Sequence, residues 1–252
     1  MWRLLHNMYQ GTKSSIMLDG RTAGMFELDL GLAQGDTLSP VLFNIFINRL
    51  MKEAESETQG AGFREEFMFA DDFLGMRASA SGLQNLIDVA RKFVNKWRLK
   101  ANVSKCAVLV TGSHADSEQW EWMWGQQRIP IVESYKYLGV YLSDKCNWNM
   151  HVEETIKKCK RKVSALFPLL SNRNITTSSK IKVIMGMLMP VLEYGSEVWE
   201  ANKTQLCKLD NIMVKAGRIA IGCKKGVGKE AILHELGLQR PGARMDQKMM
   251  EY

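Results

Sequence analysis

Apolar positions along this chain follow two periods, and the period changes near residue 145. Residues 1–9 read as the end of a helix, stopped by Gly11. Residues 13–29 form two extended runs around Asp19-Gly20, a dipeptide that favours a tight hairpin turn. Residues 37–58 open on a cap-like Thr37, and Leu42, Phe43, Phe46 and Leu50 follow at helical spacing. Residues 63–77 hold two short extended apolar runs, interrupted by Asp71-Asp72. Leu83, Leu86, Ile87, Ala90, Val94 and Trp97 share one face of a helix predicted over 82–97. Residues 106–111, 118–124, 128–132 and 135–142 read as strands. From 147 onward the strand period disappears. Val152, Ile156, Cys159, Val163, Leu166 and Leu170 recur at alternating steps of four and three. The pattern predicts an α+β layer over residues 1–143 and an all-helical part over 144–252.

Composition narrows the class. Hydrophobic residues make up 46% and charged residues 24%, which suits a chain that buries a core and excludes wholesale disorder. The longest nearly apolar run, 183–192, contains Gly186 and Pro190 and is about half of the roughly twenty residues that a membrane span needs. No membrane partner is expected. Arg3, His6 and Asn7 interrupt the only apolar start, so no signal peptide is read. The formal charge is +7 but uneven: residues 1–144 hold 15 basic and 17 acidic side chains, residues 145–252 hold 19 and 10. A basic half suits a polyanion, or simply a solvated lysine-rich surface. The five cysteines (106, 146, 159, 207 and 223) form no CxxC pair. Cys207, Cys223 and His234 could in principle ligate a metal, but their spacing fits no zinc motif. Unpaired cysteines and no signal peptide point to an intracellular setting, nucleus or cytoplasm undecided.

The chemistry concentrates at EEFMFADDFLGM, residues 65–76. Two adjacent carboxylates between β-prone runs would stand at a hairpin tip. Carboxylates suit Mg²⁺, a hard cation that prefers oxygen ligands. Alone, Asp71-Asp72 reads first as a solvated turn, because Asp is a common turn residue. Its company changes that reading. Residues 31–43 are GLAQGDTLSPVLF, residues 97–112 are WRLKANVSKCAVLVTG, and residues 135–142 are YKYLGVYL. In this order they resemble motifs B, D and E of the reverse transcriptases of non-LTR (LINE-type) retrotransposons, with FADD resembling motif C. LMPVLEYGSEVW (188–199) and GKEAILHELGL (228–238) resemble the thumb and post-thumb segments of the same elements.

The resemblance implies a partial polymerase palm, an antiparallel sheet with helices on one face carrying motifs B to E (1–143). An all-α thumb and post-thumb region would follow (144–252). It implies an RNA-directed DNA polymerase using two-metal nucleotidyl transfer, with an RNA template, a DNA primer and dNTP as partners and Mg²⁺ or Mn²⁺ as cofactor. By resemblance, Asp71 is a metal ligand and Asp72 the more peripheral carboxylate. Gln34 and Gly35 line the nucleotide and template-base site, or are a plain loop-to-helix junction. Lys105 protonates the leaving pyrophosphate, or is a surface lysine opening a strand. Tyr137, Leu138 and Gly139 grip the primer end through a tight hairpin, or only pack in the core. Lys157, Lys158, Lys160, Arg161 and Lys162 neutralise duplex phosphates without choosing sequence, or form a solvated face.

One expected piece is absent. In this family a motif A aspartate lies several tens of residues before motif B, and only 33 residues precede Gln34. Asp19 falls in a hairpin turn, and Asp29 in the run leading into motif B. The resemblance therefore implies a piece without motif A and fingers, inactive alone, that would need an N-terminal fingers and palm segment. Metal retention by this piece alone is not expected. A non-catalytic nucleic-acid-binding remnant is the alternative, and a group II intron-type relative a more distant one.

Overall fold

The computed structural model describes residues 2–28, 31–57, 64–112, 120–224 and 226–250. The chain divides into two units, residues 1–103 with 123–128, and residues 104–122 with 129–252.

In the first unit, α1 (Trp2–Tyr9) leads into two small antiparallel ladders. β1 (Lys13–Ser14) pairs with β4 (Phe26–Glu27), and between them β2 (Met17–Leu18) pairs with β3 (Arg21–Thr22). Asp19 and Gly20 take φ of 49° and 73°, the left-handed pair that this dipeptide favours. Asp29 lies outside the described residues. α2 (Ser39–Glu57) begins one residue later than a cap at Thr37 would place it. Asp36 and Ser39 organise the entry instead: the Leu38 amide donates to Asp36 Oδ1 at 3.3 Å, and the Ser39 hydroxyl donates to the Ala33 carbonyl at 2.7 Å. Pro40 sits in the first turn, where a missing N–H removes no helical bond.

β5 (Arg64–Phe69) and β6 (Asp72–Arg77) form an antiparallel hairpin, and α3 (Ala80–Lys96) follows, capped by the Ser79 hydroxyl on the Gly82 amide at 3.1 Å. One hairpin face carries Met68 opposite Phe73 and Glu66 opposite Gly75. Met68 and Phe73 pack against Ile47 and Leu50 of α2 and Ala90 and Phe93 of α3. Gly75 makes room there: a Cβ on it would press on the buried Leu86 side chain, which would have to shift. Phe46 lies edge-on to Trp97 at 5.3 Å, and the Arg49 guanidinium covers the Trp97 ring. Helices on one face of an antiparallel ladder are the arrangement expected, but it is a two-stranded ladder and not a broad sheet.

The strand expected over 106–111 does not form. A short 3₁₀ turn at Val103–Lys105 precedes it, and afterwards only a single parallel bridge joins Val108 to Ile131. The Val108 amide donates to the Pro130 carbonyl and the Val132 amide to the Val108 carbonyl, both at 2.9 Å. Pro130 brings no N–H of its own, so a ladder cannot extend past it. β7 (Trp122–Trp124) and β8 (Gln127–Ile129) form a hairpin, shorter than the runs 118–124 and 128–132; residues 113–119 lie outside the described residues. The run 135–142 is likewise two strands, β9 (Ser134–Tyr137) and β10 (Val140–Ser143).

The helical part of the second unit starts with α4 (Asn149–Ser171) and continues through α5 (Thr177–Met187), α6 (Met189–Leu192), α7 (Lys203–Ile221), α8 (Lys229–Glu235) and α9 (Pro241–Met250). α7 packs against α4, α5, α8 and α9. It is capped at both ends, by an Asn202–Gln205 capping box and by Gly222 at φ 67°. The seam read on α4 is the buried one: Val152, Ile156, Cys159, Val163 and Leu170 enter the core, and Leu166 packs at its margin. All five cysteines are free, and burial pushes the Cys159 thiol up to about 11. No described helix is long and apolar enough to cross a membrane.

Candidate metal and nucleic-acid site

The β5–β6 hairpin closes through two residues, Ala70 and Asp71, between the paired Phe69 and Asp72. Ala70 takes φ 52°, where its methyl group is unfavourable and glycine would be at ease. Asp71 thus occupies the turn itself. Asp72 opens β6 and shares a face with Phe69, the face opposite Met68 and Phe73. Both carboxylates are exposed, as are Phe67 and Phe69. The opposite face is pinned by an ion pair between Arg77 and Glu66, whose side chains are 5% and 9% exposed. The sequence therefore builds a hairpin that is anchored on one side and presents its acidic tip on the other.

Two adjacent carboxylates supply hard oxygen donors, the chemistry Mg²⁺ takes. Among the described residues no group of three His, Cys, Asp or Glu side chains could hold a metal ion. Two carboxylates are donors of the right kind but make at most part of a metal's ligand set.

Gln34 and Gly35 form an exposed turn ahead of α2, with Gly35 at φ 91°. Sequence reasoning missed what orders it. The Tyr9 hydroxyl donates to Asp36 Oδ2 at 2.7 Å, and this bond, aided by the Leu38 amide, holds the Asp36 carboxyl below its ordinary range. A tyrosine 27 residues away gives no local signal.

The remaining residues lie in the second unit. Lys105 is exposed at the end of the 3₁₀ turn and does not open a strand. Its carbonyl accepts the Tyr135 hydroxyl at 2.7 Å, which ties the lysine to β9. Tyr137 pairs with Val140, leaving Leu138 and Gly139 as the two turn residues, at φ 46° and 87°. The tight hairpin expected there is present. On α4, Lys157, Lys160 and Arg161 are exposed, whereas Lys158 and Lys162 are half-buried. Lys157 pairs with Glu154 at 2.7 Å, and Lys162 donates to the Met187 carbonyl at 3.0 Å. These two are engaged within the fold, so the stripe is less free than its sequence suggests.

His151, which the sequence did not single out, joins the hairpin to α4. Its Nδ1 accepts the Tyr141 amide at 3.3 Å, and its ring meets Trp199 edge-on at 4.8 Å. Burial, and then the Lys158 charge, lower its pKa to about 4.

The chain is similar to known proteins over most of its length. The family described as "Reverse transcriptase (RNA-dependent DNA polymerase)" matches residues 2–142. The RNA-directed DNA polymerase from mobile element jockey of Drosophila melanogaster is 24% identical over 247 residues, 94% of this chain and 27% of that protein. The Pol polyprotein from the type-2 retrotransposable element R2DM of the same fly is 32% identical over 147 residues, 54% of this chain and 14% of that protein. The probable RNA-directed DNA polymerase from transposon X-element is 23% identical over 93% of this chain and 26% of that protein. The chain thus spans about a quarter or less of the length of these relatives. More than half of it matches one family, and the kinship to retrotransposable elements runs past the family match into the helices: the chain belongs to the reverse transcriptase (RNA-dependent DNA polymerase) family and is related to the reverse transcriptases of non-LTR retrotransposons.

Proposed function

We propose that this chain is a palm and thumb portion of an RNA-directed DNA polymerase. Its palm portion carries motifs B to E, and its helical half grips an RNA template–DNA primer duplex. The observation that carries the reading is the β5–β6 tip, where Asp71 stands exposed in the turn and Asp72 on the face turned away from the helices. These two carboxylates would hold Mg²⁺ or Mn²⁺, which when bound supplies charge stabilisation at the reacting phosphate. Gln34 and Gly35 would lie along the nucleotide and template base. Lys105 would give its proton to the leaving pyrophosphate. Tyr137, Leu138 and Gly139 would hold the primer end. Lys158, Lys160 and Arg161 would meet backbone phosphates, with Lys157 and Lys162 contributing once released from their internal partners.

Two carboxylates are an incomplete ligand set, so the chain alone binds template–primer without extending it. A third carboxylate would come from a fingers and palm segment joined to it. The same shortfall of ligands favours the second reading, a non-catalytic nucleic-acid-binding remnant. One experiment separates them. The chain is fused behind the upstream polymerase residues of the jockey protein and supplied with primed RNA, dNTPs and Mg²⁺. Extension by the fusion, abolished by Asp71→Ala, is the expected result. Fusion and Asp71→Ala fusion equally inactive, with duplex binding intact, favours the remnant. Extension by the unfused chain above its own Asp71→Ala control overturns the claim that the chain is insufficient alone.

A further inference from the structure

The turn between β9 and β10 has both central residues in the left-handed region, Leu138 at φ 46° and Gly139 at φ 87°. That is the geometry of a type I′ turn, which favours Asn or Asp at the first position. A bulky leucine there is strained, and such conformations persist only where the surroundings impose them. The imposing group is Tyr194. Its hydroxyl donates to the Leu138 carbonyl at 2.9 Å, across 56 residues of sequence. Its ring lies so close over Gly139 that a Cβ on that glycine would stand 2.8 Å from a ring carbon. Tyr194 is held from behind, where the buried Trp199 indole donates to the Tyr194 carbonyl at 2.9 Å. Yet Tyr194 is 56% exposed and Leu138 38% exposed. Core packing does not account for a tethered aromatic ring that keeps more than half its surface in water. A fixed, open ring beside a strained turn is a platform on which a nucleotide can rest, because every base and sugar offers an apolar face to it.

We propose that Tyr194 is a positioning residue of the primer grip: it sets the Leu138–Gly139 turn and, together with Leu138, presents a rigid surface to the terminal nucleotide of the primer strand. This rests on the reading of residues 137–139 as the primer grip. The test uses the 252-residue chain, with anisotropy titrations of an RNA–DNA duplex carrying a recessed DNA 3′ end and of a blunt duplex of the same pairing. Amide exchange over residues 134–143 is measured alongside. Tyr194→Phe keeps the ring and removes the tether, and it serves even if Tyr194→Ala fails to fold. The expected result is a loss of recessed-end affinity of about three- to tenfold in Tyr194→Phe, the range for one hydrogen bond. Blunt-duplex affinity stays the same, and exchange quickens over 134–143 but not in α7. Wild-type exchange over 134–143, or an equal loss on both duplexes, overturns the positioning role. A wild-type chain that binds the two duplexes equally refutes the primer-grip reading itself, whatever the exchange shows, and the role given to Tyr194 falls with it.

Discussion

Acid should loosen the second unit through one histidine. His151 is 3% exposed, accepts the Tyr141 amide on Nδ1, and titrates near pH 4 in the fold against about 6.5 in an unfolded chain. Because the folded pKa is the lower one, the unfolded chain takes up the proton first as pH falls. Stability from this group is complete above about pH 7 and is lost between about 6.5 and 4. The full loss is about 3 kcal/mol, and about 2 kcal/mol of it falls between pH 7.5 and pH 5. His151→Asn keeps a hydrogen-bond acceptor near the Tyr141 amide and does not titrate. Urea unfolding of both proteins at pH 7.5 and 5.0, followed by tryptophan fluorescence and circular dichroism, isolates the effect as a double difference. Every other titrating group, Asp36 included, is common to both proteins and cancels. The wild type should lose about 2 kcal/mol more than His151→Asn over that interval. Equal losses in the two proteins would show that His151 is protonated as readily in the fold as outside it, and would refute the reasoning.

The acidic β5–β6 hairpin has its own steric test. Gly75→Ala would put a Cβ 2.3 Å from Leu86 Cδ2 and should destabilise the first unit by about 1–3 kcal/mol. Adding Leu86→Val should restore part of that loss in thermal unfolding, and strictly additive losses would contradict the contact. At the other end of the chain, Arg244 donates to the buried Glu193 carboxylate at 2.9 and 3.3 Å, with Lys248 at 3.7 Å from the same group. Arg244→Ala should cost about 2–3 kcal/mol in denaturant unfolding, because it strands a buried charge, and Glu193→Gln added to it should recover part of the loss. An Arg244→Ala protein as stable as the wild type would show that Lys248 alone suffices.

The periodic parts of this fold were legible because each repeats its own signal. Val152 to Leu170 announces α4 through a seam that recurs five times, and Asp19-Gly20 announces its turn through backbone preference alone. The acidic hairpin was legible because two carboxylates interrupt an apolar run and the pairing Phe69 to Asp72 leaves them nowhere but the tip. The strand expected at 106–111 failed because an apolar run says nothing about its partner, and the partner here contains Pro130. The apolar pattern of 135–142 reads as one strand, and it was the family resemblance, not the pattern, that implied a fold-back at 137–139. Tyr9, His151 and Tyr194 were invisible for a different reason. Each acts on a backbone or carboxyl group that its own neighbourhood does not specify, and each looks locally like any tyrosine or histidine. The lysines of α4 were legible as a group but not in their engagement, since Glu154 and the Met187 carbonyl that hold two of them must be seen in space.

Of the tight turns built on Asp19-Gly20, Ala70-Asp71 and Leu138-Gly139, only the first carries the dipeptide its backbone prefers. The other two keep side chains that mutation could exchange for easier ones, glycine at 70 and asparagine at 138. Either exchange should relax its corner and leave the chain sturdier. Each awkward corner therefore spends folding stability on the side chain it displays, methyl at one and isobutyl at the other.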